Sequence, residues 1–424
     1  MTVREQLFNY IPKRFFVEGL KENRIGHIKL AFVREVINPM IIRSTDAEST
    51  IALVSIDGRE LAEIPPRKLK SREKLLGLMI CREFGVVDEK VRYNVFEGAE
   101  YLNNPNSILF GDTSTKAGDT AGLVSRAIYD WAYSLRDVKD ITDKLQHNAL
   151  SEAGTMIDET TGEMRQSLYS TEYILPNTFF PHFITVDNIT PELFVHLLSC
   201  VLNQHRYGAQ TTTTANNMNN HLVAIGFSDF EKPINSYTVS KAWRKQAQEN
   251  KEQQNPQGDL QPSISGADET PTLESVKEFV RGQMTTQYRN GLLTEEKTVE
   301  LINWINKLWD GFDDVRSKTD ESKMVDVLKS EPLTQAYATA KANVDSYLKE
   351  IKMVSGRAGE DKADKVIQAI SALKSEGKDV SKEEVLAKVT KGATRKKEKG
   401  EYQKIVEEQL AAMESENENP ADKN

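Results

Sequence analysis

The fold is decided by Thr155–Phe227, TMIDETTGEMRQSLYSTEYILPNTFFPHFITVDNITPELFVHLLSCVLNQHRYGAQTTTTANNMNNHLVAIGF. From Phe179 to Val186, the residues Phe180, His182, Ile184 and Val186 alternate with Pro181, Phe183 and Thr185 at the period of two that a sheet requires, which predicts a buried strand. Thr190 then offers an N-cap oxygen, Pro191 presets the first helical φ, and Glu192 places a negative charge at the positive end of the helix dipole. Leu193, Phe194, Leu197, Leu198, Val201 and Leu202 follow at helical spacing, and the helix ends near Gln204. A second buried strand is expected over His221–Phe227. The order is strand, loop, helix, loop, strand.

Between helix and second strand lie Arg206, Tyr207, Gly208, Ala209 and Gln210, the threonines Thr211, Thr212, Thr213 and Thr214, and an amide run through Asn216, Asn217, Asn219 and Asn220. A guanidinium forks onto phosphate, an aromatic ring stacks on a base, glycine allows close backbone approach, and hydroxyls and amides bond phosphate and sugar oxygens. This composition suits a sugar-phosphate chain. Thr and Asn are also ordinary turn residues, so composition alone leaves a plain polar surface loop open.

The runs GTMIDETTGEMRQSLYSTEYILPNTFFPHFITVDNITPE (154–192) and RYGAQTTTTANNMNNHLVAIGF (206–227), with LAFVREVINPMIIRST (30–45) and NALSEAGTM (148–156), resemble the backbone subunit of the type I-D CRISPR effector complex, a member of the seventh Cas protein family. The resemblance is spread, in the family's order, over most of Gly26–Trp243. It implies an α+β chain: a modified RRM or ferredoxin-like domain with inserted loops, a thumb-like hairpin among them, and a mainly helical C-terminal region. It further implies a protein that forms a filament of its own copies along guide RNA, beside the other subunits of that complex, and meets target DNA through the guide. Lys29 and Arg34, on the expected central strand, would then face the RNA, and Arg43 and His221 fall within the matched blocks. In the excursion 137–170 the matched positions include Asn148, Gly154, Thr155, Met156, Arg165, Gln166 and Ser167. There Met156 would wedge between bases while Arg165 holds a phosphate. Some related subunits cut bound target with a loop acid, and Asp158 is the candidate here, although an acidic pair in a loop is ordinary turn chemistry. Others carry a cysteine cluster, but Asn94–Gly111 contains no cysteine, so no zinc is carried over.

Composition bounds the same answer. A chain of 424 residues, 38% hydrophobic and 28% charged, holds two or three compact units with a polar surface or tail. Its net charge of −9 excludes a wholly basic nucleic-acid coat, so RNA would be held by local basic islands. The densest in the N-terminal half lies in the loop 55–74, where Arg59 is followed by Pro65, Pro66, Arg67, Lys68, Lys70 and Arg72. Each lysine or arginine on a phosphate releases counterions without reading sequence, while a charge run is as often a solvated face. Cys81 and Cys200 are far apart in apolar runs and read as buried small hydrophobes, which argues against a disulfide or a cysteine zinc site. Charges within the first five residues and the lack of a membrane-length apolar run lead to the expectation of a cytoplasmic protein with no membrane partner.

Along the chain, Met1–Asn23 is a helical or irregular lead-in, Gly26–Ile42 the first strand region, and Ser71–Phe84 an amphipathic helix. Lys116 precedes alanine, so the glycine-bearing segment Gly111–Gly122 lacks phosphate-loop spacing. Leu123–Leu135 fits a helix by Val124, Ile128, Trp131 and Leu135, or a strand by Ala127, Tyr129 and Trp131. The RNA-binding core is expected over 1–245, a linker over 246–271, a helical subdomain over 272–354 and a charged, partly helical tail over 355–424. Thr272 and Thr294 cap helices, the second with an apolar stripe of Val299, Ile302, Trp304, Ile305 and Trp309. The tail, with its basic run Lys391–Lys399, reads best as a mobile solvated segment. No cofactor is called for. Two other classes stay open: a metal-dependent nuclease or phosphotransferase, against which six histidines form no cluster at ligand spacing, and a scaffold assembling without nucleic acid.

Overall fold

The computed structural model describes residues 2–43, 50–88, 90–92, 99–116, 119–147, 169–208, 215–254, 271–319, 329–350, 357–375 and 381–389, with 402, 403, 405–407 and 410. The N-terminal half runs α1 (Val3–Leu7), β1 (His27–Val36), β2 (Leu53–Ile56), β3 (Arg59–Ile64), α2 (Pro66–Glu83), α3 (Pro105–Phe110), β4 (Asp112–Lys116), β5 (Asp119–Leu123), β6 (Ala127–Tyr129), β7 (Ala132–Asp137), α4 (Val138–Ile141) and β8 (Thr142–His147). There follow β9 (Tyr169–Ile174), β10 (Thr178–Asp187), α5 (Pro191–Leu202), β11 (Met218–Ser228), α6 (Ser236–Gln254), α7 (Leu273–Tyr288), α8 (Glu295–Lys318), α9 (Pro332–Glu350), α10 (Arg357–Ser375) and α11 (Lys382–Val389).

The decisive stretch folds as its pattern requires. Thr190 caps α5 through the Leu193 N–H, and Pro191 is its first residue. Strand β1 lies antiparallel between β10 and β11, and β6 pairs with the far side of β10, giving the order β11-β1-β10-β6. Both β10 and β11 run opposite to β1, so they are parallel to each other and α5 is their crossover; α2 makes the equivalent crossover from β1 to β6. These two interlocked β-α-β units are the ferredoxin-like arrangement of an α+β chain.

Pairing in register fixes which side chains share a face. Ala31 and Val33 of β1, Phe179 and Phe183 of β10, and Val223 and Ala224 of β11 pack against Val239 of α6 and Val276, Val280 and Met284 of α7. A large apolar side chain buried this completely contributes about 1.5–3 kcal/mol. In a simple RRM this sheet face stacks on bases; here α6 and α7 cover it. Lys29 on that face is consequently buried, its Nζ donating to Glu231 Oε1 at 2.9 Å and to the carbonyls of Lys232 and Ile234 at 3.1 Å. The expectation that Lys29 faces RNA is corrected: it anchors the segment leading into α6.

Asp130 fixes the start of α6, its Oδ2 accepting the Ser236 N–H at 2.6 Å while Ser236 Oγ accepts the Tyr133 N–H at 2.9 Å. Burial pushes the Asp130 carboxyl up to about 6. A raised acid stabilises the fold below its unfolded pKa, and that stability falls as pH rises from about 4 to 6, because the unfolded chain ionises first. Asp130→Asn is expected to remove roughly 2 kcal/mol of this decline, seen as equal urea midpoints at pH 4.5 and 7; an unchanged decline would assign it to another group.

Several sequence expectations shift. The basic loop 55–74 is a hairpin of β2 and β3, turned by Asp57 at φ 52° and Gly58 at φ 75°, followed by the first turns of α2, which opens at Pro66. The ambiguous run Leu123–Leu135 contributes strands β6 and β7, with β7 pairing β3. The excursion 137–170 opens with the short helix α4 and continues into the ribbon β8-β9, His147 opposite Tyr169. Helix α6 continues to Gln254, past the expected start of the linker. On α8 the buried residues are Thr298, Leu301, Ile305 and Phe312, whereas Val299 is 50% exposed.

Two compact units emerge. The first comprises Met1–Tyr93, Asn104–Asp112 and Val124–Tyr347, so α7 and α8 belong with the sheet. The second comprises Asn94–Asn103, Thr113–Leu123 and Leu348–Asn424. In it, Val366, Ala369, Ile370 and Leu373 of α10 cluster with Val385 of α11, Tyr402 and Val406. The expected solvated tail therefore has an apolar core among its described residues. No helix among them is long and apolar enough to cross a membrane.

Candidate nucleic-acid interface

After α5 the chain turns through Gln204–Gly208, and Asn217 holds that turn from the start of β11. Asn217 Oδ1 accepts the Tyr207 N–H at 2.9 Å, and its Nδ2 donates to the Tyr207 carbonyl at 2.7 Å. One amide side chain thus supplies both bonds that a paired strand would. Gly208 at φ +82° presses its backbone on Ile41 and Ile42, so close that a Cβ would stand 2.2 Å from the Ile41 oxygen. The Gly208 carbonyl accepts from Arg72 Nη2 of α2 at 3.1 Å. Three segments distant in sequence therefore meet at the base of the loop, and Arg206 stands exposed beside it, with Arg43 directly after Ile42.

Beneath this turn is a buried polar network. Arg34 and Glu73 are fully enclosed, Arg34 Nη1 donating to Glu73 Oε1 at 2.6 Å and to Asn220 Oδ1 at 2.7 Å. The Tyr207 hydroxyl donates to Glu73 Oε1 at 2.8 Å, the Tyr129 hydroxyl to Glu73 Oε2, and Asn220 Nδ2 to the Val201 carbonyl at 2.8 Å. Burial opposes the Arg34 charge, but Glu73 more than offsets it and the guanidinium stays above its ordinary pKa. His182 is driven well below the usual histidine range by burial and then by Arg34. It is therefore neutral, with Nε2–H donating to the Asp130 carbonyl at 3.2 Å and Nδ1 accepting from Arg34 Nη2 at 3.2 Å.

The candidate residues separate by accessibility. Arg43, Arg67 and Arg206 are exposed, Lys68, Arg72, Gly208 and His221 half-buried. His221 Nε2 lies 2.8 Å from Glu35 Oε2. Arg34, Tyr207, Asn217 and Asn220 are buried with Lys29, and apart from Arg34 Nε their side-chain polar groups are engaged within the fold. A side chain so enclosed cannot reach a phosphate without unpacking the sheet, so the expected RNA contacts at Arg34, Tyr207, Asn217 and Asn220 are corrected to internal supports of the loop. Asn148, Thr155, Met156, Asp158, Arg165, Gln166, Gln210, Thr211 and Thr213 lie outside the described residues.

Sequence reading missed Glu73, Tyr129 and His182, and it did not distinguish the cations of α2. Lys70 donates to Ser125 Oγ at 2.6 Å, and burial, reinforced by Lys74, lowers it to about 8. Lys74 itself donates to the Gly111 carbonyl at 2.7 Å and pairs with Asp112. Lys70 and Lys74, four residues apart, share a face of α2, while Arg67 in its first turn is exposed and Arg72 reaches the Gly208 carbonyl from another side of the helix. Cys81 and Cys200 are buried free thiols flanking His196, and burial lifts the Cys81 thiol to about 12. No group of three or more His, Cys, Asp or Glu side chains suited to a metal ion occurs among the described residues.

An antiparallel ferredoxin-like sheet with exposed arginines around a clamped loop defines the class. The chain belongs to the Csc2 CRISPR family, whose pattern it matches over residues 64–319. It is similar in structure to Csc2 of Thermofilum pendens, with 14% identity and a TM-score of 0.43, over 82% of this chain and 96% of that one. A chain of a CRISPR RNA-guided surveillance complex in a pre-nicking state matches at 12% identity and TM-score 0.35, over 61% and 99% respectively. A chain of a type IV-B CRISPR complex matches at 10% identity and 0.34, over 46% and 90%. No curated protein matches the chain.

Proposed function

We propose that the protein is an RNA-binding backbone subunit that polymerises along CRISPR guide RNA in a type I-D interference complex and presents the guide for pairing with target DNA. The observation that carries this reading is the exposed Arg206 on a turn that Asn217, Gly208 and Arg72 hold rigidly, in a member of a CRISPR family. Guanidiniums on a fixed backbone grip phosphates and ignore base identity, which suits a protein that must accept any guide. Arg43, Arg67 and Lys68 extend the same sequence-independent contact, and the excursion 137–170 reaches the guide of the neighbouring copy.

Short RNAs carrying one repeated segment beside variable inserts are expected to copurify in a peak far larger than a monomer. Arg206→Ala is expected to weaken binding of unrelated single-stranded RNAs equally and to reduce the slope of log affinity on log salt by about 0.7, the share of one phosphate contact. Unchanged affinity and slope, measured by fluorescence anisotropy from 50 to 300 mM salt, would remove the Arg206 turn from the interface.

A further inference from the structure

At the opposite end of the central sheet is an open cleft of about 860 Å³, between the N-terminal segment around Phe15, the end of β11 and the end of α7. Its size lies within the roughly 300–1,000 Å³ usual for ligand sites. Phe227 and Ser228 at its wall pair with Ile28 and His27, whereas Asn220, under the Arg206 turn, pairs with Arg34. Six or seven strand residues separate the two places, about 20 Å at the rise of a strand.

The lining is unlike an ordinary surface hollow. Arg14, Lys232 and Arg289 converge on it, and the single carboxylate in the wall, Asp229, is already bound to Arg14 at 2.9 Å. The side chains of Lys232 and Arg289 make no hydrogen bond or ion pair among the described residues. Thr286, Gln287 and Asn290 add hydroxyl and amide groups. The Phe15 and Phe227 rings, 5.3 Å apart, contribute an aromatic side. Tyr288 is 5% exposed, and its hydroxyl lies near Ser228 and the Lys232 backbone without a hydrogen bond of good geometry. Arg289 is held at φ 44° and ψ −108°, a conformation natural to glycine, where it caps α7. A long cation kept in a strained position, free of partners, beside amides and an underused hydroxyl is the chemistry of an anion grip.

We propose that this cleft is a second nucleic-acid contact, holding phosphates of a single strand through Lys232, Arg289 and Arg14 with Gln287 and Asn290 on the sugars. It rests on the RNA-binding reading above and adds to it a site at the far end of the sheet. A strand touching both places is gripped by each subunit at two points about 20 Å apart, which resists rotation of the subunit on its RNA.

The test uses the full chain and single-stranded RNA containing 4-thiouridine. Ultraviolet cross-links, mapped by mass spectrometry, are expected at both Gln204–Gly208 and Thr286–Gly291. The double variant Lys232→Ala, Arg289→Gly is expected to lower affinity about tenfold and to reduce the salt slope by about 1.4, the share of two phosphates. Its melting temperature stays level or rises, because glycine relieves the strain at residue 289. A control, Lys277→Ala with Lys318→Ala, removes two cations already paired on their own helices and leaves affinity unchanged. Cross-links confined to the Arg206 turn, or an equal loss in the control, would overturn the second site and leave the proposed function standing. A parent protein that binds no RNA would overturn both.

Discussion

Glu73→Ala is expected to cost about 3–5 kcal/mol of folding stability, because it leaves the fully buried Arg34 guanidinium without its counter-charge. Three donors converge on this carboxylate, from Arg34, Tyr207 and Tyr129, and none of them has water to turn to. Arg34 Nε already lacks a partner, so the network has no spare acceptor to take up the freed N–H groups. Urea unfolding at pH 7 measures the loss. A loss below about 1 kcal/mol would mean that the pair is not ionised as a unit. The double variant Arg34→Met, Glu73→Leu separates charge from shape: removing both partners is expected to recover most of the loss, since the desolvation of two ions disappears with their attraction. Its RNA affinity is expected to stay low, because Tyr207 and Asn220 then lose the partners that orient the Arg206 turn.

Gly208→Ala is expected to cost about 2–5 kcal/mol and to weaken the proposed RNA binding at the Arg206 turn while leaving the central sheet intact. Two effects add. A residue with a Cβ at φ +82° carries roughly 1–2 kcal/mol of left-handed strain, and the new methyl would overlap the Ile41 carbonyl oxygen, a rigid backbone atom, at 2.2 Å. Relief requires the turn to lift from Ile41, which breaks the bond from Arg72 to the Gly208 carbonyl and frees Arg206 from its fixed position. Amide hydrogen exchange distinguishes this from global unfolding: Tyr207, Asn217 and Met218 lose protection and β1 keeps it. Wild-type affinity in a folded Gly208→Ala protein would show that RNA is held elsewhere.

How far the chain was legible depends on the range of the interaction that carries each feature. Strand β10, helix α5 and strand β11 were readable because alternation, the Thr190 cap and Pro191 at the first helical position are local signals. Two equally local signals were overlooked. Asp57-Gly58 marks a tight hairpin and Pro66 a helix start, and a run read only for charge hid both. The network was not readable at all. Arg34, Tyr207 and Asn220 look like ligand-facing residues when seen one at a time, and what internalises them is Glu73, set among the basic residues of α2. Lys29 is the same case, its acid supplied by Glu231 from the connection after β11. Arg206 stays exposed beside the turn, while the placement of Arg72 against the Gly208 carbonyl joins two segments distant in sequence and has no local signal.

The position of β1 bears on how the protein is made. Its two sheet partners begin about 140 and 180 residues after it ends. At roughly 5–20 residues per second of synthesis, β1 waits on the order of 7 to 30 seconds before the first of these neighbours has been translated. Throughout that interval HIKLAFVREV, which carries only the charges of Lys29, Arg34 and Glu35 along an otherwise apolar strand, is an unpaired edge open to other nascent chains. The basic and acidic residues later enclosed in the sheet thus act earlier as its gatekeepers, and substitution of Lys29 or Arg34 by apolar residues raises the aggregated fraction during expression even where the finished fold accommodates the change.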